Sequence, residues 1–367
     1  MNGRTSLRAF AYYLPRLTLS IVILAALLEA LLRLFPDSLG PGVANYVRSI
    51  YHWHAGGMYF KDPVARINLM HPNHQDVAYW NGYQWDHTTD VWGFRNPPGT
   101  RTDGAIILGD SMIYGHGVNL EHTAAYALRE SESGSLYNMA RQGDSLYQHY
   151  VLLRLYQGVF KPQHAVVVVF INDFWDVFSY RTTKQLAELP EVAAYGYRAM
   201  RERVNRQQSL ASSLAEAVFY RSAMLKALGG LYRSIRDDRR RDDGALLPYL
   251  ALVMDDEGFA PIGAYYRRIL SDLANRLARS HSRLSVVFLH VGEAAPGRGA
   301  VQAQDKVDRF LAGLCRATSI GYWSTKKLFA GCRDCFLEND GHFSPQGHRR
   351  FADFLRREVL PHKAPAR

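Results

Sequence analysis

The run "AVVVVFI" (165–171) has seven apolar residues and no polar break. A strand with one wet face alternates polar and apolar residues. An unbroken run suits a strand buried on both faces, as in a parallel sheet covered by helices. Upstream, "GAIILG" (104–109) and "SLYNMA" (135–140) read as further strands; downstream, "RLSVVFLHV" (283–291) and "IGYW" (320–323) do the same. Helical sequence lies between them, around 123–131, at 146–160, at 266–279 and near 303–318. At 266–279 the pattern puts Ile269, Leu270, Leu273 and Leu277 on one face. "SPQGHRRFADFLRREVL" (344–360) closes the series, with Ser344 placed to cap a helix and Pro345 in its first turn. This alternation predicts an α/β fold, a three-layer α/β/α sandwich around a mostly parallel sheet.

The chain has 367 residues, 47% hydrophobic and 21% charged, which is the composition of a folded protein. Its formal charge is +10, but the densest charge run, "RDDRRRDD" (236–243), cancels itself. No nucleic-acid motif accompanies it, so nucleic acid is not expected as a partner. Arg4, Arg8 and Arg16 precede the uncharged "LTLSIVILAALL" (17–28), and Glu29 and Arg33 stand one helical turn apart beyond it. The expectation is a membrane anchor over 17–35, with residues 1–16 cytoplasmic and the rest exported. A cleaved signal peptide is the competing reading, though no small-x-small site follows promptly.

Residues 36–103 form a loop-rich segment before the sheet. His52, His54, His71, His74 and His87 there fit no metal-ligand spacing, and neither metal nor cofactor is expected. Trp80, Tyr83, Trp85, Trp92 and Phe94 read as packing rather than a sugar platform. The sheet domain is expected over 104–360, with a charged helical insertion at 181–257 and a tail at 361–367. Of the three cysteines, Cys315, Cys332 and Cys335, an exported domain would pair two. "CRDC" (332–335) reads as a structural bridge or as buried thiols.

In parallel sheets, sites lie past the carboxyl ends of the strands. Ser111, in "GDSMIYGHG" (109–117), follows the first strand directly. The same tripeptide recurs with Ser145, but "RQGDS" separates that serine from its strand, and a helix cap is its better reading. A serine nucleophile needs a positioned base. Asp340 and His342 share a loop after the last strand and can act as orienting acid and base. His348 competes, but it sits inside a predicted helix without an acidic neighbour. The N–H groups of Ser111 and Gly143 and the Asn172 side chain can supply oxyanion donors.

The ordered set "GDS", "NMARQG", "IND" and "DGH" resembles the SGNH (GDSL-type) hydrolases, in particular membrane-anchored bacterial members with a "GFR" segment before the core. The resemblance implies Ser111 as nucleophile, Gly143 and Asn172 as oxyanion donors, His342 as base and Asp340 as its acid. It implies an esterase acting on O-acyl esters of envelope glycans or lipids. The alternatives are an O-acyltransferase on envelope polysaccharide and a non-catalytic binding protein on the same fold. Two departures stand out. Phe170 replaces a glycine often found two residues before Asn172, and one residue rather than two separates Asp340 from His342.

Overall fold

Five strands assemble into one sheet, four of them buried and the last, at an edge, half-buried. The computed structural model describes residues 3–48, 57–62, 66–129, 136–192, 222–241, 247–294, 299–338 and 340–360, with side chains left aside at 3–11 and 233–241. His52, His54, positions 130–131 of the first expected helix, the insertion residues 193–221 and 242–246, and the tail at 361–367 lie outside this set.

A long helix, α1 (Gly3–Leu34), comes first, then α2 (Pro41–Arg48). Two antiparallel pairs follow: β1 (Tyr59–Lys61) with β2 (Asn68–Met70), and β3 (Gln75–Trp80) with β4 (Tyr83–Thr88). The main sheet contains β5 (Ala105–Leu108), β6 (Leu136–Asn138), β7 (His164–Val169), β8 (Arg283–Phe288) and β9 (Gly321–Ser324), in the order β6-β5-β7-β8-β9. All four pairings are parallel. Every residue of β5 and β7 is buried, as the unbroken apolar runs predict.

The connections carry α3 (Ser111–Tyr114), α4 (Ala124–Ala127), α5 (Leu146–Tyr156), α6 (Asp173–Asp176), α7 (Ala223–Arg241), α8 (Pro248–Met254), α9 (Asp256–Arg279) and α10 (Ala300–Ala317). The last helix, α11 (Pro345–Phe354), runs on as a π turn to Val359. Parallel crossovers are right-handed, so the return from β5 to β6 lies on one face and the later ones on the other. The packing agrees: α11 lies against α4, and α9 against α5.

Residue 104 marks where the sheet begins, not where the core begins. Met58, Ile67, Trp85 and Phe94 are buried in the same apolar cluster as the sheet strands. The two small hairpins cannot bury their faces alone and use the sheet domain as their partner. Of the cysteines, Cys332 and Cys335 are bonded, and Cys315 is a buried thiol.

One helical stretch, Tyr12–Leu34, is long and apolar enough to cross a membrane, with a mean hydropathy of 2.2. A secretion signal meets the same criterion. Near its end, Glu29 accepts hydrogen bonds from the Ala223 and Met224 N–H groups and the Ser222 hydroxyl at the start of α7. The insertion is thereby tied to the N-terminal helix.

Candidate active site

β5 runs directly into α3 through Gly109 and Asp110. Asp110 caps the helix, its Oδ1 accepting the Met112 N–H at 3.0 Å. Ser111 is the first helical residue, half-buried at the strand's carboxyl end. Its Oγ lies 2.8 Å from Nε2 of His342. The other ring nitrogen, Nδ1, meets Oδ1 of Asp340. A carboxylate there accepts a hydrogen bond from Nδ1–H, so Nε2 turns a lone pair toward the serine hydroxyl.

The loop that delivers His342 is held at both ends. Leu337 N–H donates to the His342 carbonyl at 2.7 Å, and Ser344 caps α11 by accepting the Gly347 N–H at 3.2 Å. Gly341, at φ +81°, turns the chain between Asp340 and His342. That turn brings side chains two residues apart into contact, so the short spacer does not separate the pair. Burial acts to raise the Asp340 carboxyl. The hydrogen bond and charge of His342, then the charge of His116 and the Asn81 amide, outweigh it and hold the group below the usual carboxylate range.

The expected oxyanion donors are less uniform. Gly143 has φ +70° and open space where a side chain would stand, so its backbone can border a cleft. Asn172 follows β7, but its Nδ2 donates to Asp176 Oδ2 at 2.8 Å and its Oδ1 is buried without a hydrogen bond. An amide nitrogen carries two hydrogens: one goes to Asp176 and the other lies toward Asp110, so an oxyanion would compete with Asp110 for it. Phe170 donates its N–H to Asp173 Oδ2 at 3.0 Å, which shapes the strand exit that the missing glycine would otherwise form. Burial pushes Asp110 up to about 6 and Asp176 up to about 7. The Asn172 amide offsets part of both shifts.

Ser145 is elsewhere. It is fully buried at the start of α5, its Oγ and N–H both on Gln148 Oε1 at 2.6 and 2.9 Å. His348 is buried in α11 beside Phe343, and burial drives it down to about 3.

Several neighbours of the site carry no motif. His116 stacks on His342 with ring centroids 4.0 Å apart, and its Nε2 is 4.0 Å from Asp340 Oδ1. Burial, then the charge of His342, holds His116 well below the usual histidine range. Arg95 is wholly buried and donates to the carbonyls of Gly115, Val118 and Asp86 at 2.6–2.8 Å, which fixes the turn carrying His116. Asn81, at the tip of the β3–β4 hairpin, donates Nδ2 to Asp340 Oδ2 at 2.9 Å. Only the Asn-Gly dipeptide marks that tip in the sequence.

Among the described residues, His116, Asp340 and His342 bring metal-ligand atoms within 4.8 Å of one another. Stacked rings aim their nitrogens side by side rather than at one point, and both His342 nitrogens already have partners. Of the upstream histidines, His71, His74 and His87 lie ring against ring, and His87 Nδ1 is 2.6 Å from the Tyr114 hydroxyl.

The sequence profile of the GDSL-like lipase/acylhydrolases matches residues 81–355. The chain belongs to that family. It is a GDSL-type hydrolase acting on esters. The matched span begins at Asn81, so the β3–β4 tip and Arg95 fall inside it. No curated protein matches the sequence.

Similar solved structures include the esterase EstA from Pseudoalteromonas sp., 11% identical, with a TM-score of 0.39 over 71% of this chain and 97% of that one. The extracellular lipase from Streptomyces rimosus is 13% identical, with a TM-score of 0.38 over 69% and 98%. The acetylxylan esterase Axe2 from Geobacillus stearothermophilus is 12% identical, with a TM-score of 0.37 over 72% and 97%.

Proposed function

We propose that this hydrolase is a membrane-anchored serine esterase that removes O-acyl groups, acetyl among them, from envelope glycans or lipids outside the cytoplasm. The observation that carries the reading is the contact of Ser111 Oγ with His342 Nε2 at 2.8 Å, with Asp340 on the far nitrogen. Ser111 attacks the ester carbonyl while His342 takes its proton. The N–H groups of Ser111 and Gly143 and the Asn172 amide receive the oxyanion. His342 returns the proton to the departing alcohol, leaving an acyl-serine. Water, deprotonated by His342, then attacks the acyl carbon, and His342 returns that proton to Ser111 as the acid leaves.

Anchoring by residues 17–35 is supported by the apolar stretch Tyr12–Leu34, which the rest of the fold leaves almost wholly exposed. The Cys332–Cys335 bond fits an oxidising compartment. A cleft of about 990 Å³ opens beside the Asp340–Gly341 turn, lined in part by Phe329, Phe336, Lys326 and Arg333. Purified full-length protein in detergent should release acetate from an O-acetylated oligosaccharide. Without turnover the esterase reading fails. Acetyl appearing on an added oligosaccharide instead of as free acetate would make the protein a transferase. Recovery of the native protein in the soluble periplasmic fraction would contradict the anchor.

A further inference from the structure

The hairpin tip at 80–83 is a two-residue Asn-Gly turn. Trp80 pairs with Tyr83, and Asn81 and Gly82 have φ +47° and +88°. Both central residues are left-handed, as a primed hairpin turn requires. Glycine would serve that turn as well as asparagine, so the turn alone does not account for the Asn81 side chain.

Its amide is committed on every side. The Asn81 N–H donates to Asn45 Oδ1 at 2.7 Å, Asn45 Nδ2 donates to Asn81 Oδ1 at 2.6 Å, and Asn81 Nδ2 donates to Asp340 Oδ2 at 2.9 Å. One group in this chain has no freedom: a backbone N–H can only donate. It therefore requires an oxygen from Asn45, which turns the Asn45 nitrogen toward Asn81 Oδ1. The Asn81 nitrogen is then left facing Asp340. Neither amide can flip without breaking a bond to its neighbour.

We propose that Asn81 is a positioning residue for the Asp340–His342 pair, and that Asn45 locks it in place. Asp340 has a side chain only 1% exposed and two carboxylate oxygens to satisfy. His342 takes one and Asn81 the other, so the carboxylate is held in the plane that orients the imidazole. Asn45 lies on α2, whose Val43 is buried with Leu32 of α1 and Ala223 and Ala227 of α7. Two hydrogen-bonded side chains thus separate the N-terminal helix assembly from the catalytic pair. The other titratable groups facing Asp340 are His342, His116 and Tyr83, whose hydroxyl donates to the Glu338 carbonyl.

This inference rests on the triad reading above, and its test separates the two. Asn81→Gly keeps the left-handed turn and deletes only the amide. Asn81→Asp keeps the shape but sets a second carboxyl against Asp340, so one of the two must hold a proton. With a chromogenic acetyl ester, N81G should lower kcat by about 10-fold to 100-fold, the scale of a lost hydrogen bond to a charged group, with KM unchanged. N81D should also raise the acidic limb of the kcat/KM profile by about one pH unit. Asn45→Ala should lower kcat in the same direction by a smaller factor. Circular dichroism and Tm check that each variant is folded. Wild-type kcat and an unshifted profile in folded N81G and N81D would overturn the proposal, provided Ser111→Ala is inactive in the same assay. If Ser111→Ala is itself active, the triad reading fails instead.

Discussion

Gly-Asp-Ser occurs at 109–111 and again at 143–145, and the two copies use the same three side chains differently. In the first, the glycine is crowded, since a Cβ would come within 2.5 Å of Ile113. The aspartate caps α3, and the serine reaches His342. In the second, the glycine stands open at φ +70°, and Asp144 is clamped by Arg141 through two bonds of 2.8 and 2.9 Å. Its serine is sealed against Gln148. The tripeptide alone is not the signal. Ser111, three residues past the end of β5, opens into the cleft, whereas Ser145, seven residues past the end of β6, ends up at a helix cap.

Substitutions can break this contrast. The largest expected effect is for Ser111→Ala, which should lower kcat/KM on an ester on the order of 10⁴-fold with the fold intact. Next comes Asn172→Ala. If the amide hydrogen that lies toward Asp110 turns to the oxyanion, kcat should fall about 10²-fold with KM little changed, and a normal kcat would remove Asn172 from the donors.

The pH dependence of stability extends the comparison to the buried titratable groups. Burial lowers His71 to about 4, His87 to about 2, and His149, His164 and His348 to about 3. These five stay neutral in the fold but take up protons when unfolded, so their stabilisation is lost as pH falls below about 6.5. Burial raises Asp110 to about 6, and Asp144 and Asp176 to about 7. These three take up protons in the fold first, which opposes the histidines over the same range. With His74 and His116 also held low and Asp90 and Asp173 also held high, seven histidines oppose five carboxyls, so Tm should fall from pH 6.5 to pH 5. A Tm that rises on acidification would mean that the carboxyls dominate.

The smallest effect is expected at the second tripeptide. Ser145→Ala should cost about 1 kcal/mol in urea unfolding and leave kcat/KM within about twofold.

Much of the sheet is legible in the sequence because its strands are buried on both faces and read as unbroken apolar runs. Ser111, Asp340 and His342 are legible because each stands at a strand end or just before a capped helix. Asn81 is not, since a hairpin Asn-Gly reads as a turn whatever its side chain touches, and its partner Asp340 is 259 residues away. His116 and Arg95 are missed for the same reason: their work is stacking and carbonyl binding across the fold. That the hairpins before residue 104 share the sheet's apolar cluster is not legible, because hairpins with buried faces leave no periodic trace of what they pack on.

The most direct measurement is labelling of the full-length protein with a fluorophosphonate, followed by peptide mapping of the adduct. The account predicts a single adduct on Ser111, lost in Ser111→Ala and kept in Ser145→Ala. An adduct on Ser145, or no adduct on active protein, would contradict it.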